Sequence, residues 1–177
     1  MNVQTVLPQP LEELPWTRIT SEVNAWRGAC IQSFAQAEAA VTETLLLLAD
    51  AGARGGTVQL RHLGGQRLDD LVQALGPEGS FAAEGRAAFE ALSAFRTHEG
   101  LRVHLAHDVA RVALARNGTW IVVFRRLSIR SGSAERSSSV YEQHEAADAL
   151  ARLKRVTQRL DATLTGLRRV VELQPAG

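Results

Sequence analysis

The chain has 177 residues, of which 45% are hydrophobic and 22% charged, and its formal net charge is +1. Those proportions fit a globular protein with one sizeable core, and the single cysteine excludes an internal disulfide or a multi-thiolate zinc site. The near-neutral total hides an asymmetry: residues 1–100 carry seven arginines against twelve carboxylates, whereas residues 101–177 carry thirteen basic residues against seven. That split points to an anionic partner for the C-terminal half, or to pairing between halves or between copies.

The opening segment, MNVQTVLPQPLEELP, reads as an irregular lead-in without the basic start and long apolar run of a secretory signal. The run LLLLA at 45–49 is too short to span a bilayer, so the expectation is a cytoplasmic protein with no membrane partner. From Trp16 the pattern is helical. Ile19, Val23, Trp26, Cys30, Phe34, Ala37, Val41, Leu45 and Leu48 recur at steps of three and four, predicting one long amphipathic helix with Cys30 as a small buried hydrophobe. AGARGG at 51–56 predicts a loop. A short helix follows with Leu68, Leu71, Val72 and Leu75 on one face and Gly76-Pro77 as its stop. Ser80 is the expected N-cap of a third helix carrying Phe89, Leu92 and Phe95, with Gly100 as the place where that helix kinks or breaks.

Beyond Arg111 the period changes. Val112-Ala113-Leu114 and Trp120-Ile121-Val122-Val123-Phe124 flank Asn117-Gly118, which predicts a β-hairpin. SerGlySer at 131–133 marks a second turn, after which residues 137–141 return as a third strand, or else Ser139 and Glu142 form a capping box for the last helix. That helix shows Leu150, Leu153, Thr157, Leu160, Leu164, Leu167 and Val171 in a stripe matching the first, and the two are expected to pack together. The fold class expected is therefore mainly α: a bundle of about four helices in one domain over residues 16–173, with a hairpin or three short strands inserted before the last long helix.

Chemistry-bearing residues concentrate in one place, Arg102-Val103-His104-Leu105-Ala106-His107-Asp108. An arginine can hold a phosphate with a planar fork of donors and a histidine moves protons near neutral pH, so the pair suits work on a phosphodiester. Arg102 has a structural alternative as the partner of Glu99 or Asp108, and Arg96 as an i,i+3 partner of Glu99. His98, His104 and His107 raise zinc, but no cysteine or third acidic ligand stands at a telling spacing, so neither a metal nor a cofactor is expected. The hairpin arginines Arg125, Arg126 and Arg130, with Arg136 beyond, suit either an RNA backbone or a solvated edge that deters strand pairing, and the solvated edge is favoured. No phosphate-cradling glycine loop is present, and no serine stands in an activating context.

The order of elements together with RVHLAHD resembles the HEPN superfamily of small helical bundles, in which an arginine and a histidine separated by four to six residues lie on a central helix. Arg102 and His107 have four residues between them. The resemblance implies a metal-independent endoribonuclease working as a symmetric dimer, of the kind found in toxin–antitoxin and phage-defence systems with an antitoxin or nucleotidyltransferase partner. Arg102 would bind the scissile phosphate, and His107 would act as base or acid while the ribose 2′-hydroxyl attacks it. His104, Arg96 and Asp108 would support RNA binding. The residue after the motif arginine, commonly polar in that superfamily, is Val103 here, which keeps open a non-catalytic helical module for protein or nucleic acid. Residues five apart on a helix differ by roughly 140° around its axis, so the enzyme reading needs a second copy to complete the site.

Overall fold

The computed structural model describes residues 15–130 and 133–173; residues 1–14 of the expected lead-in and the Ser131-Gly132 part of the second turn lie outside them. In chain order the described elements are α1 (Pro15–Ala49), α2 (Gly52–Gly55), α3 (Gly64–Leu75), α4 (Ala82–Arg96), α5 (Glu99–His107), β1 (Val109–Leu114), β2 (Trp120–Arg130), β3 (Ser133–Glu142) and α6 (Gln143–Glu172). The protein is mainly helical, with a small antiparallel sheet before the last long helix, as the periodicities predict.

All nine stripe residues of α1, from Ile19 to Leu48, are buried, and so are Leu153, Thr157, Leu160, Leu164, Leu167 and Val171 of α6. At a 1.5 Å rise per residue α1 runs about 52 Å and α6 about 45 Å, so each offers a long apolar seam. The two seams meet. Trp26 Nε1 donates to the Ala146 carbonyl at 2.8 Å near the start of α6, and Arg168 Nη1 donates to the Ala40 carbonyl at 3.3 Å near its end, so the helices run parallel. The second seam partner is α4, which packs on α6 while α3 bridges α4 and α1. Gly85 of α4 allows the α3 contact, since a Cβ there would come within 2.7 Å of Leu75 Cδ2.

Three local expectations change. The AGARGG segment contains the single helical turn α2 instead of an uninterrupted loop. Phe81, not Ser80, occupies the N-cap of α4, because the Ser80 hydroxyl is taken by Thr57 Oγ1 at 2.8 Å. The helix break ahead of the Arg/His cluster falls at Thr97-His98 instead of Gly100: Thr97 Oγ1 turns back onto the Ala94 carbonyl at 2.8 Å, closing α4 and releasing α5 as a separate nine-residue helix. Hence six helices stand among the described residues where about four were expected.

The sheet has strand order β1-β2-β3 and is antiparallel throughout. Its first connection closes with Ala115 N–H on the Thr119 carbonyl at 2.8 Å and Gly118 N–H on the Ala115 carbonyl at 3.0 Å. Gly118 has φ +83°, a left-handed conformation that glycine adopts without a Cβ penalty, and this explains the Asn-Gly signal. Ser139 pairs with Phe124 inside β3, so the third strand forms and the Ser139 capping box does not. Instead, Glu142 N–H donates to Glu145 Oε2 at 3.0 Å at the start of α6. Strand alternation sends Trp120, Val122 and Phe124 into the core, where Trp26 lies with its ring centroid 6.1 Å from Trp120, 6.2 Å from Phe124 and 5.7 Å from Tyr141. Trp26 and Trp120 thus pack as expected, whereas Trp16 is exposed.

Candidate functional site around helix α5

Helix α5 is clamped between α1 and the sheet by its own polar residues. Leu101 and Leu105 supply its buried contacts. Arg27 of α1 donates to the Leu105 carbonyl at 3.2 Å, satisfying one of the acceptors that every helix C-terminus leaves open. Asp108 is the C-cap residue, with extended ψ of 148°, and it turns the chain directly into β1.

The Asp108 side chain is 1% exposed and is held from two sides. His104 Nδ1 lies 2.7 Å from Oδ2, and Arg126 Nε of β2 donates to Oδ1 at 2.6 Å. The other ring nitrogen of His104, Nε2, lies 3.0 Å from Ser139 Oγ of β3, and its ring stacks on Phe124 with centroids 6.3 Å apart. Burial alone would push the Asp108 carboxyl up, but the hydrogen bonds from Arg126 and then His104, with their charges, outweigh it and hold the carboxyl below the usual carboxylate range. The carboxylate therefore joins α5 to β2, and the His104 ring carries the connection on to β3.

This network brings a serine into line with a histidine and a carboxylate that the sequence did not show together. Ser139, His104 and Asp108 are aligned hydroxyl to imidazole to carboxylate at hydrogen-bond distances. The Asp108 oxygen that does not meet His104 is occupied by Arg126, and Ser139 faces Phe124 across the strand pair. Those ties make the row a brace between α5 and the sheet. His104 is accordingly not a free ligand for RNA or zinc, since both ring nitrogens are engaged.

Arg102 points the other way. It pairs with neither Glu99 nor Asp108, as its structural alternative supposed, but with Glu38 of α1, Nη2 to Oε1 at 2.7 Å. The Glu38 carboxylate also lies against Gly64, the first residue of α3, where a Cβ would come within 3.1 Å of Oε2. A carboxylate at that helix start is favoured by the backbone dipoles. The Arg102 side chain remains 37% exposed. His107 is exposed as well, at the last position of α5.

Arg96 does not join them. It pairs with Asp69 Oδ1 at 2.9 Å and Glu99 Oε1 at 3.3 Å, tying α4 to α3 and α5, so the Glu99 alternative is the one realised. Of the five residues singled out, His104 and Asp108 come together inside, Arg102 and His107 stay outside, and Arg96 stands apart. Sequence reasoning missed Glu38, placed Arg126 on a solvated edge where it in fact holds Asp108, and read Ser139 only as a strand or capping residue. Only the i,i+4 spacing of His104 and Asp108 was visible as a local signal.

Among the described residues no group of three or more His, Cys, Asp or Glu side chains is gathered so as to hold a metal ion. Cys30 is buried, and burial pushes its thiol up to about 11, with Lys154 opposing, so it is no nucleophile at neutral pH. No helix of the described residues is long and apolar enough to cross a membrane. Comparisons with family models, with curated proteins and with solved structures returned no match.

Proposed function

We propose that this protein is a metal-independent endoribonuclease of the HEPN type, with Arg102 and His107 as its reacting pair and a second copy completing the site. The observation that carries this reading is the division of labour on α5. His104 and Asp108 are consumed by the brace, while Arg102 and His107 remain open to solvent on the same nine-residue helix.

Glu38 Oε1 meets the Arg102 guanidinium at Nη2, and a guanidinium carries five N–H donors. The pair orients the group without exhausting it, leaving donors for a phosphate oxygen. In the proposed reaction the ribose 2′-oxygen attacks phosphorus as His107 Nδ1 or Nε2 accepts the hydroxyl proton. The bond to the 5′-oxygen breaks, and that oxygen takes a proton from an imidazolium, contributed by the His107 of a second copy or by solvent exchange. The products are a 2′,3′-cyclic phosphate and a 5′-hydroxyl. An antitoxin or nucleotidyltransferase that masks the same pair belongs to this proposal.

The test is incubation of purified protein with RNA in excess chelator, followed by analysis of product ends. Cleavage leaving 2′,3′-cyclic phosphates, abolished by His107→Ala and by Arg102→Ala, is the expected result. Failure of every preparation to cleave, including one stripped of co-purifying partners, overturns it. A concentration-independent monomer in light scattering removes the shared site. The Arg102–Glu38 ion pair favours a second reading, a non-catalytic helical module, in which Arg102→Ala lowers the melting temperature and changes nothing else.

A further inference from the structure

The outward face of the sheet carries a second feature that the α5 pair does not use. Along the strands lies a groove of about 630 Å³ lined by Val109 and Arg111 of β1, Arg125 and Leu127 of β2, and Arg136 and Ser138 of β3, with Arg126 and Ser137, which alternate to the other face, also reaching it. Its register is regular. Arg125 is directly opposite Val109 on one side and Ser138 on the other, which places Arg111 and Arg136 diagonally across from it, one arginine per strand. Diagonal neighbours of this kind are about 7–8 Å apart, so the three guanidinium groups form a line crossing the sheet.

Its grouping separates this line from a solvated edge. Arg111, Arg125 and Arg136 are all exposed and, among the described residues, none has an ion pair or side-chain hydrogen bond, a condition they share with Arg116, Arg155, Arg159 and Arg169, but these three lie together on one sheet face against one groove. No carboxylate lines the groove, and strand alternation turns Glu135 to the opposite side from Arg136. Like charges side by side with no carboxylate among them raise the local potential and draw in an anion. Val109 and Leu127, 65% and 67% exposed, add apolar surface between the charges. The groove also opens at the right place: Val109 is two residues beyond His107, a chain distance of at most about 7 Å.

We infer that this groove is the track for a single strand of RNA, with Arg111, Arg125 and Arg136 each taking a phosphate and the strand leading toward His107. The inference rests on the ribonuclease reading for the direction of the strand, but binding to the track is independent of cleavage. A repeating row of monoanions matches a row of three guanidinium groups on a regular diagonal.

The experiment uses the full chain carrying His107→Ala, so that cleavage cannot consume the probe, and a short fluorescent oligouridylate titrated by anisotropy at several salt concentrations. In that background the triple change Arg111→Ala, Arg125→Ala, Arg136→Ala is expected to weaken binding roughly tenfold or more. It should also reduce the slope of log affinity against log salt by about 2, given about 0.7 per phosphate contact on a single strand. The corresponding lysine triple should keep most of the slope. Removing the same charge from the outer face of α6, with Arg155→Ala, Arg159→Ala and Arg169→Ala, should leave the track slope in place. The inference is overturned if the host does not bind the probe, if the two alanine triples weaken binding equally, or if the groove triple instead abolishes self-association or capture of an acidic protein without changing RNA affinity. Loss of cleavage activity alone, with binding and its arginine dependence intact, would remove the ribonuclease reading and leave the track.

Discussion

The two sides of helix α5 use similar residue types to opposite ends. On the inner side His104, Asp108, Arg126 and Ser139 hydrogen-bond in one row, with Arg126 Nη2 left buried and, among the described residues, without a hydrogen-bond partner, and the central carboxylate is almost wholly removed from water. On the outer side Arg102 has a single carboxylate partner, and His107 stands exposed at the helix end. A histidine with both nitrogens engaged is a structural part; one facing solvent is free to exchange protons with a substrate. Residue type alone therefore does not separate brace from site, and the number of satisfied hydrogen bonds does.

The widest separation should come from His107→Ala, which is expected to reduce RNA cleavage by about 10²–10⁴-fold, the usual worth of a general base, with an unchanged melting temperature. A matching fall in melting temperature would put His107 on the structural side. Asp108→Ala should do the reverse. It strands the partly buried groups of His104 and Arg126 and should cost about 3 kcal/mol, a fall of roughly 6–12 °C in melting temperature, read by circular dichroism. An unaffected Asp108→Ala would dissolve the brace.

The brace also sets a pH dependence. Because the native Asp108 carboxyl titrates below its ordinary value, its contribution is complete above the unfolded pKa of about 3.9 and is lost as pH falls through the lower native value. Wild type and Asp108→Asn should therefore differ most near neutrality and converge below about pH 4 in acid-unfolding curves; a constant offset across that window would contradict the assignment. The smallest effect is expected from Ser139→Ala, about 1 kcal/mol for one hydrogen bond to the His104 ring, with RNA cleavage unaltered. A loss of activity without loss of stability in that variant would convert the aligned serine, histidine and aspartate into a reacting set.

Legibility divides along the same line. The stripes of α1 and α6 were readable because each apolar residue lies three or four positions from the next, and every residue expected in the α1 stripe is buried. The Asn117-Gly118 hairpin was readable because a left-handed turn residue leaves a local signature. The break between α4 and α5 was misplaced by two or three residues, because the hydrogen bond that closes α4 comes from Thr97 and not from the more conspicuous Gly100. Arg125 and Arg136 were read with Arg126 and Arg130 as a solvated edge and Arg111 was not singled out, since nothing along the chain shows that Arg111, Arg125 and Arg136 fall on one diagonal.

Periodicity and turn chemistry, which act between neighbours in the chain, were enough by themselves to determine the mainly helical class, the inserted strands and the pairing of the first helix with the last. The partners of the cluster were decided only by tertiary structure. Arg126 reaches Asp108 across 18 residues and Ser139 reaches His104 across 35, while Glu38 comes to Arg102 from a different helix. Hydrogen bonds and ion pairs depend on distances of about 3 Å that a chain leaves undetermined until its apolar seams have packed.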